Sequence, residues 1–248
     1  MFDNTKRFLD FLYPRRCPVC DEPVDIVRIS NKRLITGDII HPKCYAQIKP
    51  VKGNVCMKCG KPLGKEHYDD EYCKDCQKIT HVFDRGFSVF CYRSISGSIY
   101  RFKYMGRQEY AAFYADEAYK RLGKTIKRLG VEALIPVPMY EKKKEKRGYN
   151  QAEVLAKFLS EKFEIPVYEN VIKRTVNTQP MKELTLRQRR NNLKKAFNIV
   201  GNDVKFKCIL VIDDIYTTGS TIDEIAHEFR IAGTKRIYFL TLAIGQTT

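Results

Sequence analysis

The first third of the chain contains four pairs of potential metal ligands, and no other feature constrains its fold as strongly. Seven of the nine cysteines lie before residue 77, and one histidine completes the series. Within each pair two residues separate the ligands, so that one turn of backbone can present both side chains to a single tetrahedral ion. The pairs are Cys17 and Cys20, His41 and Cys44, Cys56 and Cys59, and Cys73 and Cys76.

Thiolates combined with imidazole are the typical ligands of zinc, so eight of them indicate two Zn²⁺ ions. Disulfides are the competing interpretation, but His41 takes the place of a cysteine and a reducing compartment would keep thiols free. Redox-active pairs are a further alternative, although four pairs in tandem are not typical of them. Protein would fill every ligand position, so the zinc should be structural, and a chelator should release about two ions per chain and unfold this region first.

The spacing alone leaves open which pairs share an ion. Sequential pairing is simpler, because residues 27–40 (VRISNKRLITGDII) are typical of a hairpin between two ligand corners. Crossed pairing is the alternative. His67 and His81 lie nearby and are interpreted as exposed loop residues.

After residue 82 the pattern changes to alternating strands and helices, which is typical of an α/β fold with a doubly wound, mostly parallel sheet. Strands are predicted at residues 87–92, 133–138, 165–172, 207–213 and 236–244, and helices at 109–129, 150–163 and 222–232. Cys91 and Cys208 fall in apolar strand contexts and should be core thiols, whereas His227 should face solvent. We therefore expect a zinc-binding module in residues 1–82 and an α/β domain in residues 83–248.

Two adjacent acids end the apolar run before the last helix, in the stretch VIDDIYTTGST. The strand is predicted to end at Asp213, and a hydroxyl-rich loop with Gly219 then leads into a helix. The start of a helix offers unpaired N–H groups and a positive dipole end to a phosphate, while carboxylates accept hydrogen bonds from a diol or hold hydrated magnesium. A phosphorylated sugar would suit both the start of the helix and the pair of carboxylates. The alternative is an Asx-type turn with a Thr N-cap and no ligand.

Positive charge is the main bias in composition, with a formal net charge of +16 that lies mostly after residue 82. It concentrates in residues 141–147 and 173–195. Candidate nucleic-acid contacts are Lys142, Lys143, Lys144, Arg187, Arg189 and Arg190. Solvated loops and a charged helix face explain such runs equally well.

The N-terminal stretch MFDNTKRFLDFLYPRR has an apolar stripe, but Asp3 and Asp10 interrupt it. We expect neither a signal peptide nor a membrane span there or elsewhere, and hence a cytoplasmic protein with reduced thiols.

The stretch from Ile209 to Thr221 resembles the thirteen-position signature of the type I phosphoribosyltransferases. The likeness extends over nearly the whole chain, which resembles the ComF-type competence proteins of bacteria. The other matching stretches are YPRRCPVC, CMKCGKPL, FKYMGR, IPVPMYEKKKEKRGYNQAE and TQPMKELTLRQRRNNLKKAF. This resemblance implies a zinc module joined to a phosphoribosyltransferase-like domain that binds phosphoribosyl pyrophosphate with Mg²⁺.

The resemblance also implies roles for individual residues. Asp213 and Asp214 would bind the ribose hydroxyls. The 5′-phosphate would be held by Thr217, Thr218, Gly219, Ser220 and Thr221. Pro138 and Met139 would face the pyrophosphate, which Arg147 would contact, since guanidinium matches phosphate oxygens in a fork. Residues 175–190 resemble a loop that closes over the sugar, with Gln179 and Arg187 to Arg190 as candidates for leaving-group contacts.

Two functions follow from this likeness. In one, the chain is a phosphoribosyltransferase whose acceptor is unknown, and aromatic residues between 83 and 107 either form a hood for a base or pack in the core. In the other, the sugar site is vestigial or regulatory and the chain handles single-stranded DNA together with a helicase-type partner of the transformation machinery. The two functions can coexist.

Overall fold

The computed structural model describes residues 14–24, 27–30, 33–36, 39–64, 66, 69–175, 196–200 and 205–245, with the backbone alone at 27–30 and 33–36. In the cysteine-rich region, strands β1 (Val27–Ser30) and β2 (Arg33–Thr36) pair antiparallel, which confirms the predicted hairpin. Two short helices follow, α1 (Pro42–Gln47) and α2 (Lys74–Lys78).

A four-stranded parallel sheet forms the centre of the remaining chain. Its strands are β3 (Arg85–Cys91), β4 (Ala133–Pro136), β7 (Cys208–Tyr216) and β8 (Arg236–Ile244), in the spatial order β3-β8-β7-β4. All three pairings are parallel. The predicted parallel α/β sheet is therefore confirmed. A separate antiparallel pair joins β5 (Ile172–Arg174) to β6 (Phe197–Ile199).

Five α-helices accompany the sheet among the described residues after Cys91. They are α3 (Ser96–Tyr104), α4 (Tyr110–Leu129), α5 (Glu141–Arg147), α6 (Gln151–Phe163) and α7 (Ser220–Ile231). None of the described helices is both long enough and apolar enough to cross a bilayer.

Both faces of the sheet are covered, because successive side chains of a strand point to opposite faces. On β7, Leu210 and Ile212 pack in one core cluster with α4 and α6, whereas Ile209 and Val211 pack in a second cluster with α7. All four side chains are fully buried. A continuous apolar run is what such a doubly covered strand requires.

Several elements differ from the sequence prediction. Strand β7 continues to Tyr216 instead of ending at Asp213, because residues up to Tyr216 pair with β8. Residues 165–172 do not form a full strand, and Val167 makes a single bridge to Leu134. Helices α3 and α5 lie where the sequence patterns predict none.

Candidate functional site

The eight predicted metal ligands lie in two groups, and within each group all ligand atoms are within 4.8 Å of one another. The first group is Cys17, Cys20, His41 and Cys44, and the second is Cys56, Cys59, Cys73 and Cys76. Pairing therefore follows the sequence, and the crossed alternative is wrong. Thiolates and imidazole at these separations suit Zn²⁺, and protein supplies all four ligands, as in structural zinc sites.

The same backbone turn begins each group, in the octapeptides RCPVCDEP and VCMKCGKP. In the first, Asp21 has a φ of 65° and its N–H donates to the Cys17 carbonyl at 2.9 Å. In the second, Gly60 has a φ of 73° and its N–H donates to the Cys56 carbonyl at 2.9 Å. This left-handed residue folds the turn back so that both cysteines reach one point. His41 and Cys73 then precede the short helices that carry the last ligands.

Neighbouring groups orient the ligands. His41 Nδ1 lies 3.3 Å from Cys20 Sγ, and His41 Nε2 lies 3.0 Å from the Pro23 carbonyl oxygen. A carbonyl accepts only from a protonated nitrogen, so this contact leaves the Nδ1 lone pair for a metal. In the second group, Cys59 Sγ and Cys73 Sγ are 3.7 Å apart. The residues therefore fit zinc at both places.

A cavity of about 630 Å³ opens at the carboxyl ends of β4 and β7. This size is typical of small-molecule sites, and the position is where parallel sheets bind ligands. The main lining residues are Val137, Pro138 and Met139 after β4, Asn150 and Gln151 at the start of α6, and residues 213–222 of β7 and α7. The lining also includes Lys61, Tyr92, Lys103, Arg174 and Gly245.

The two adjacent acids lie within this cavity and are held by a hydrogen-bonded network. Lys103 Nζ lies 2.8 Å from Asp214 Oδ1, and Gln151 Nε2 donates to Asp214 Oδ2 at 2.7 Å. Arg147 donates in turn to the Gln151 side-chain oxygen. The Asp213 carboxylate accepts from the Asp214 N–H at 2.8 Å. Asp214 is therefore held in orientation through both of its carboxylate oxygens.

The electrostatics of the pair are dominated by burial and by like charge. Burial, and then the neighbouring Asp214 carboxylate, raise the pKa of Asp213 to about 7, and the Lys103 ammonium opposes this shift only in part. Burial alone would lower the pKa of Lys103, but the Asp214 charge raises it above its ordinary value. A cation or a set of hydroxyl donors beside Asp213 would relieve this repulsion.

The hydroxyl-rich loop leads directly into α7, and Gly219 is the N-cap with a φ of 79°. No side chain caps the first turn of this helix by a hydrogen bond. A Cβ atom at Gly219 would lie 2.7 Å from Tyr216 Oη and 3.0 Å from the His81 ring. The loop therefore requires glycine, and the helix N-terminus is open to an anion.

The prediction that His81 is an exposed loop residue is wrong. His81 is 6% exposed, and its Nδ1 lies 2.7 Å from Asp223 Oδ2 in α7. Asp223 also accepts from the Val82 N–H at 2.8 Å. The segment after the second zinc group is thereby tied to the first turn of α7, next to the hydroxyl-rich loop.

Other predicted residues lie farther from the cavity. Arg147 does not line it. Its guanidinium carbon lies 4.7 Å from the centre of the Tyr104 ring and its charge reaches the acid pair through Gln151. Lys142 and Lys143 are exposed on α5, whereas Lys144 pairs with Glu153 at 2.8 Å. Gln179, Arg187, Arg189, Arg190 and His67 lie outside the described residues.

Two lysines in the cavity are missed by the sequence patterns. Lys103 lies on α3, a helix without a strong amphipathic pattern, and Lys61 lies within the second zinc-binding turn. Each is part of a stretch that carries the family resemblance, FKYMGR or CMKCGKPL, and this is the only signal that singles them out. Their place in the site follows from the tertiary fold.

Comparisons with known proteins agree with this architecture. Residues 8–77 match the family model described as a double zinc ribbon domain. The chain is 33% identical to Competence protein F of Haemophilus influenzae over 211 residues, which covers 81% of this chain and 88% of that protein. It is 26% identical to Competence protein ComFC of Bacillus subtilis, over 83% of this chain and 85% of that protein.

Two further likenesses are more distant. DNA utilization protein YhgH of Escherichia coli O157:H7 is 29% identical, over 69% of this chain and 76% of that protein. A purine phosphoribosyltransferase structure from Pyrococcus horikoshii is 18% identical with a TM-score of 0.34, and the match covers 54% of this chain and 84% of that chain.

The alignment with Competence protein F is longer than either the cysteine-rich region or the parallel-sheet region by itself. It must therefore include parts of both regions. We conclude that this chain belongs to the ComF family of competence proteins.

Proposed function

We propose that this chain binds phosphoribosyl pyrophosphate together with Mg²⁺ and acts in competence, the uptake and use of DNA. One observation carries the ligand assignment: the adjacent carboxylates of Asp213 and Asp214 and the hydroxyl-rich loop before α7 line the same cavity. The cellular role is supported by the names of its relatives, two of them competence proteins and one a DNA utilization protein.

Each part of the ligand has a counterpart in the cavity. Asp213 and Asp214 accept hydrogen bonds from the ribose hydroxyls and would hold the hydrated Mg²⁺, for which carboxylate oxygens are suitable ligands. The loop from Thr217 to Thr221 holds the 5′-phosphate with hydroxyls and with the first N–H groups of α7. Pro138 and Met139 border the space left for the pyrophosphate.

The reaction that this arrangement supports is pentosyl transfer. The lone pair of a nucleophilic acceptor forms a bond to the anomeric carbon while the bond from that carbon to the pyrophosphate oxygen breaks. The pyrophosphate leaves with the bonding electrons, and the acceptor releases its proton. Magnesium bound beside the carboxylates would supply positive charge to the leaving group. Lys103 holds Asp214 in place and adds fixed positive charge beside the reacting sugar.

Calorimetry tests the ligand assignment directly. Titration of phosphoribosyl pyrophosphate with Mg²⁺ into the zinc-loaded protein should give heats that Asp213→Asn and Asp214→Asn each weaken by about tenfold or more, equal to about 1.4 kcal/mol. Glu161→Gln changes an exposed carboxylate on α6 and serves as the matched control. Absence of binding to the unaltered protein, or equal binding by all four proteins, contradicts the proposal.

A second candidate function, handling of single-stranded DNA, is favoured by an exposed pair of tyrosines. Tyr100 and Tyr104 on α3 are each 58% exposed, and their ring centres are 5.1 Å apart. Phe102 between them is fully buried, so Tyr100 and Tyr104 are the aromatic side chains that α3 presents to solvent. Arg147 stacks over Tyr104, and the exposed Lys142 and Lys143 belong to the same helix as Arg147. Exposed aromatic rings beside positive charge are what single-stranded nucleic acid requires.

Fluorescence anisotropy with a labelled oligothymidylate tests this second function. The double variant Tyr100→Ala/Tyr104→Ala should weaken binding about tenfold. The double variant Lys142→Gln/Lys143→Gln should reduce the dependence of affinity on salt. Tyr119→Ala, which removes a half-exposed tyrosine on α4, is the control. Unchanged affinity in the tyrosine variant would rule out the Tyr100 and Tyr104 pair as a DNA site.

A further inference from the structure

Lys61 reaches the cavity from a region to which the sequence patterns assign metal binding alone. Lys61 is only 6% exposed, and it lines the cavity together with the hydroxyl-rich loop. Its ammonium nitrogen lies 2.5 Å from Asp75 Oδ2, and the Asp75 side chain is 49% exposed. The buried ammonium thus has a carboxylate partner that is itself half exposed, and Lys61 also borders the cavity.

The second zinc group fixes the position of both partners. The Lys61 carbonyl accepts from the Cys56 N–H at 2.8 Å, so the backbone of Lys61 is part of the metal-binding turn. Asp75 lies in α2 between Cys73 and Cys76. Zinc held by this ligand group would therefore keep the Lys61 backbone and the Asp75 carboxylate in fixed positions.

This turn is also packed tightly against the sheet. The Gly86 N–H donates to the Lys58 carbonyl at 2.8 Å, and a Cβ atom on Gly60 would lie 2.6 Å from the Gly86 carbonyl oxygen. Three ligands of the second group, Cys56, Cys59 and Cys73, share a core cluster with Tyr216 and Ile222 at the two ends of the hydroxyl-rich loop. The zinc-binding turn and the loop are therefore neighbouring walls of one cavity.

We propose that Lys61 is a binding residue for the 5′-phosphate of the sugar ligand, so that the second zinc site forms part of the ligand site. An ammonium group has three donors, and Asp75 accepts one of them. A phosphate dianion in the cavity offers acceptors to the others and offsets the cost of keeping the charge buried. The 5′-phosphate is the favoured group because its predicted loop adjoins the zinc-binding turn. This inference rests on the proposed function.

Calorimetry with three ligands tests the role of Lys61 in the full-length, zinc-loaded protein. The probes are ribose 5-phosphate, phosphoribosyl pyrophosphate with Mg²⁺, and inorganic pyrophosphate with Mg²⁺. Lys61→Gln should weaken the first two about tenfold and leave the third within about twofold, with two zinc ions still bound per chain. Lys78→Gln, which changes an exposed lysine on α2 of the same zinc-binding region, should alter none of the three affinities.

A second variant separates ligand binding from a purely structural ion pair. Asp75→Asn keeps the ammonium but removes its carboxylate partner, so a ligand-binding Lys61 should hold ribose 5-phosphate at least as tightly as before. A fall in affinity in Asp75→Asn would overturn the inference, and so would wild-type affinity in Lys61→Gln. In both cases the loss of binding in Asp213→Asn still supports the proposed function. Failure of the unaltered protein to bind any sugar phosphate would instead refute the proposed function itself.

Discussion

The two zinc-binding units begin with the same backbone turn but lie against opposite faces of the sheet. We define the first unit as the described residues from 15 to 48 and the second unit as those from 51 to 79. Cys17 belongs to the core cluster that contains α4 and α6, whereas Cys56, Cys59 and Cys73 belong to the cluster that contains α7. Ligand chemistry is nearly identical in the two units, so their neighbours must account for any difference in role.

The first unit holds the connection between α3 and α4. Its turn residue Asp21 pairs with Arg107 at 2.8 Å, and the same carboxylate accepts from the Tyr110 hydroxyl at 2.5 Å. Arg101 donates to the Val19 carbonyl oxygen. Burial alone would raise the pKa of Asp21, but these donors hold that pKa below its ordinary value. The first unit therefore braces the helix that carries Lys103, without lining the cavity itself.

The second unit lines the cavity through Lys61, and the segment that follows it supplies His81 behind Gly219. One repeated metal-binding turn has thus acquired two roles, a brace and a cavity wall. Spacing of ligands specifies the turn, whereas the role is specified by the residues that the turn presents to the sheet. The glycine and lysine after Cys59 stand where the first unit has Asp21 and Glu22.

Removal of one zinc ion at a time should have the largest effect on ligand binding. It should also show which of the two units the ligand site depends on. Cys59→Ser and Cys20→Ser should each reduce zinc content from about two ions to about one per chain. Because Cys59 is buried in the cluster shared with the cavity, its variant should lose sugar-phosphate binding by at least about tenfold. Cys20 is exposed, and its variant should bind within a few-fold of the unaltered protein. Zinc analysis and calorimetry on the same samples provide the measurement.

Equal losses of binding in the two variants would remove the distinction between the units. Thermal unfolding of both proteins serves as the control, since a variant that is largely unfolded at the temperature of the titration reports on stability alone. A ligand-free melting transition well above that temperature is therefore required of each.

Gly219→Ala should have the next largest effect. It tests how tightly the cavity is packed on the side of the second unit. An alanine there must adopt a left-handed backbone, which costs about 1–3 kcal/mol, and its Cβ would collide with Tyr216 and His81. We expect a lower melting temperature and loss of sugar-phosphate binding. Gly64→Ala is the matched control, since a Cβ at Gly64 meets no atom within 4 Å. Normal ligand binding by Gly219→Ala would show that the loop can shift.

Asp21→Asn should have a smaller effect and should act on the first unit alone. Asparagine keeps the size of the side chain and tolerates the left-handed φ, so the change isolates the charge. Loss of the charged partner of Arg107 and Tyr110 should cost about 1–2 kcal/mol of unfolding free energy. Affinity for ribose 5-phosphate should stay within about twofold. Chemical denaturation with zinc present measures the first quantity and calorimetry the second. A large loss of affinity would mean that the brace controls the cavity as well.

Much of this fold could be predicted from the sequence, because the signals are local. Ligand spacing predicts both zinc-binding turns, and apolar runs between helical patterns predict the parallel sheet. The end of β7 could not be located, because Asp213 looks like a terminator while its backbone pairs with Thr241 of β8. Helix α3 was missed because only Ser98, Ile99 and Phe102 of its nine residues are buried.

The cavity was predicted only on the side built from contiguous motifs. Residues 213–221 and Pro138 lie at or just beyond the carboxyl ends of parallel strands, so their convergence follows from the topology. Lys61 and Lys103 come from a zinc-binding turn and an unpredicted helix, and their approach depends on packing between distant segments. The burial of His81 likewise depends on Asp223, 142 residues away along the chain. Pairwise contacts at this separation leave no periodic signal in a single sequence.

The smallest predicted effect concerns pH, and it should arise from the acid pair independently of either zinc-binding unit. Because the pKa of Asp213 is raised to about 7, the folded protein holds a proton between pH 4 and 7 that the unfolded chain releases. Unfolding free energy should therefore fall as pH rises toward 7 and stay level above it. Ligand binding requires the carboxylate, so affinity should instead rise several-fold between pH 6 and 8. Asp213→Asn should lose both trends, because it cannot titrate, whereas Cys20→Ser should keep both. Melting curves and titrations from pH 6 to 8 measure how stability and ligand affinity change with pH. If both quantities rose or both fell with pH, Asp213 would be ruled out as the common source of the two trends.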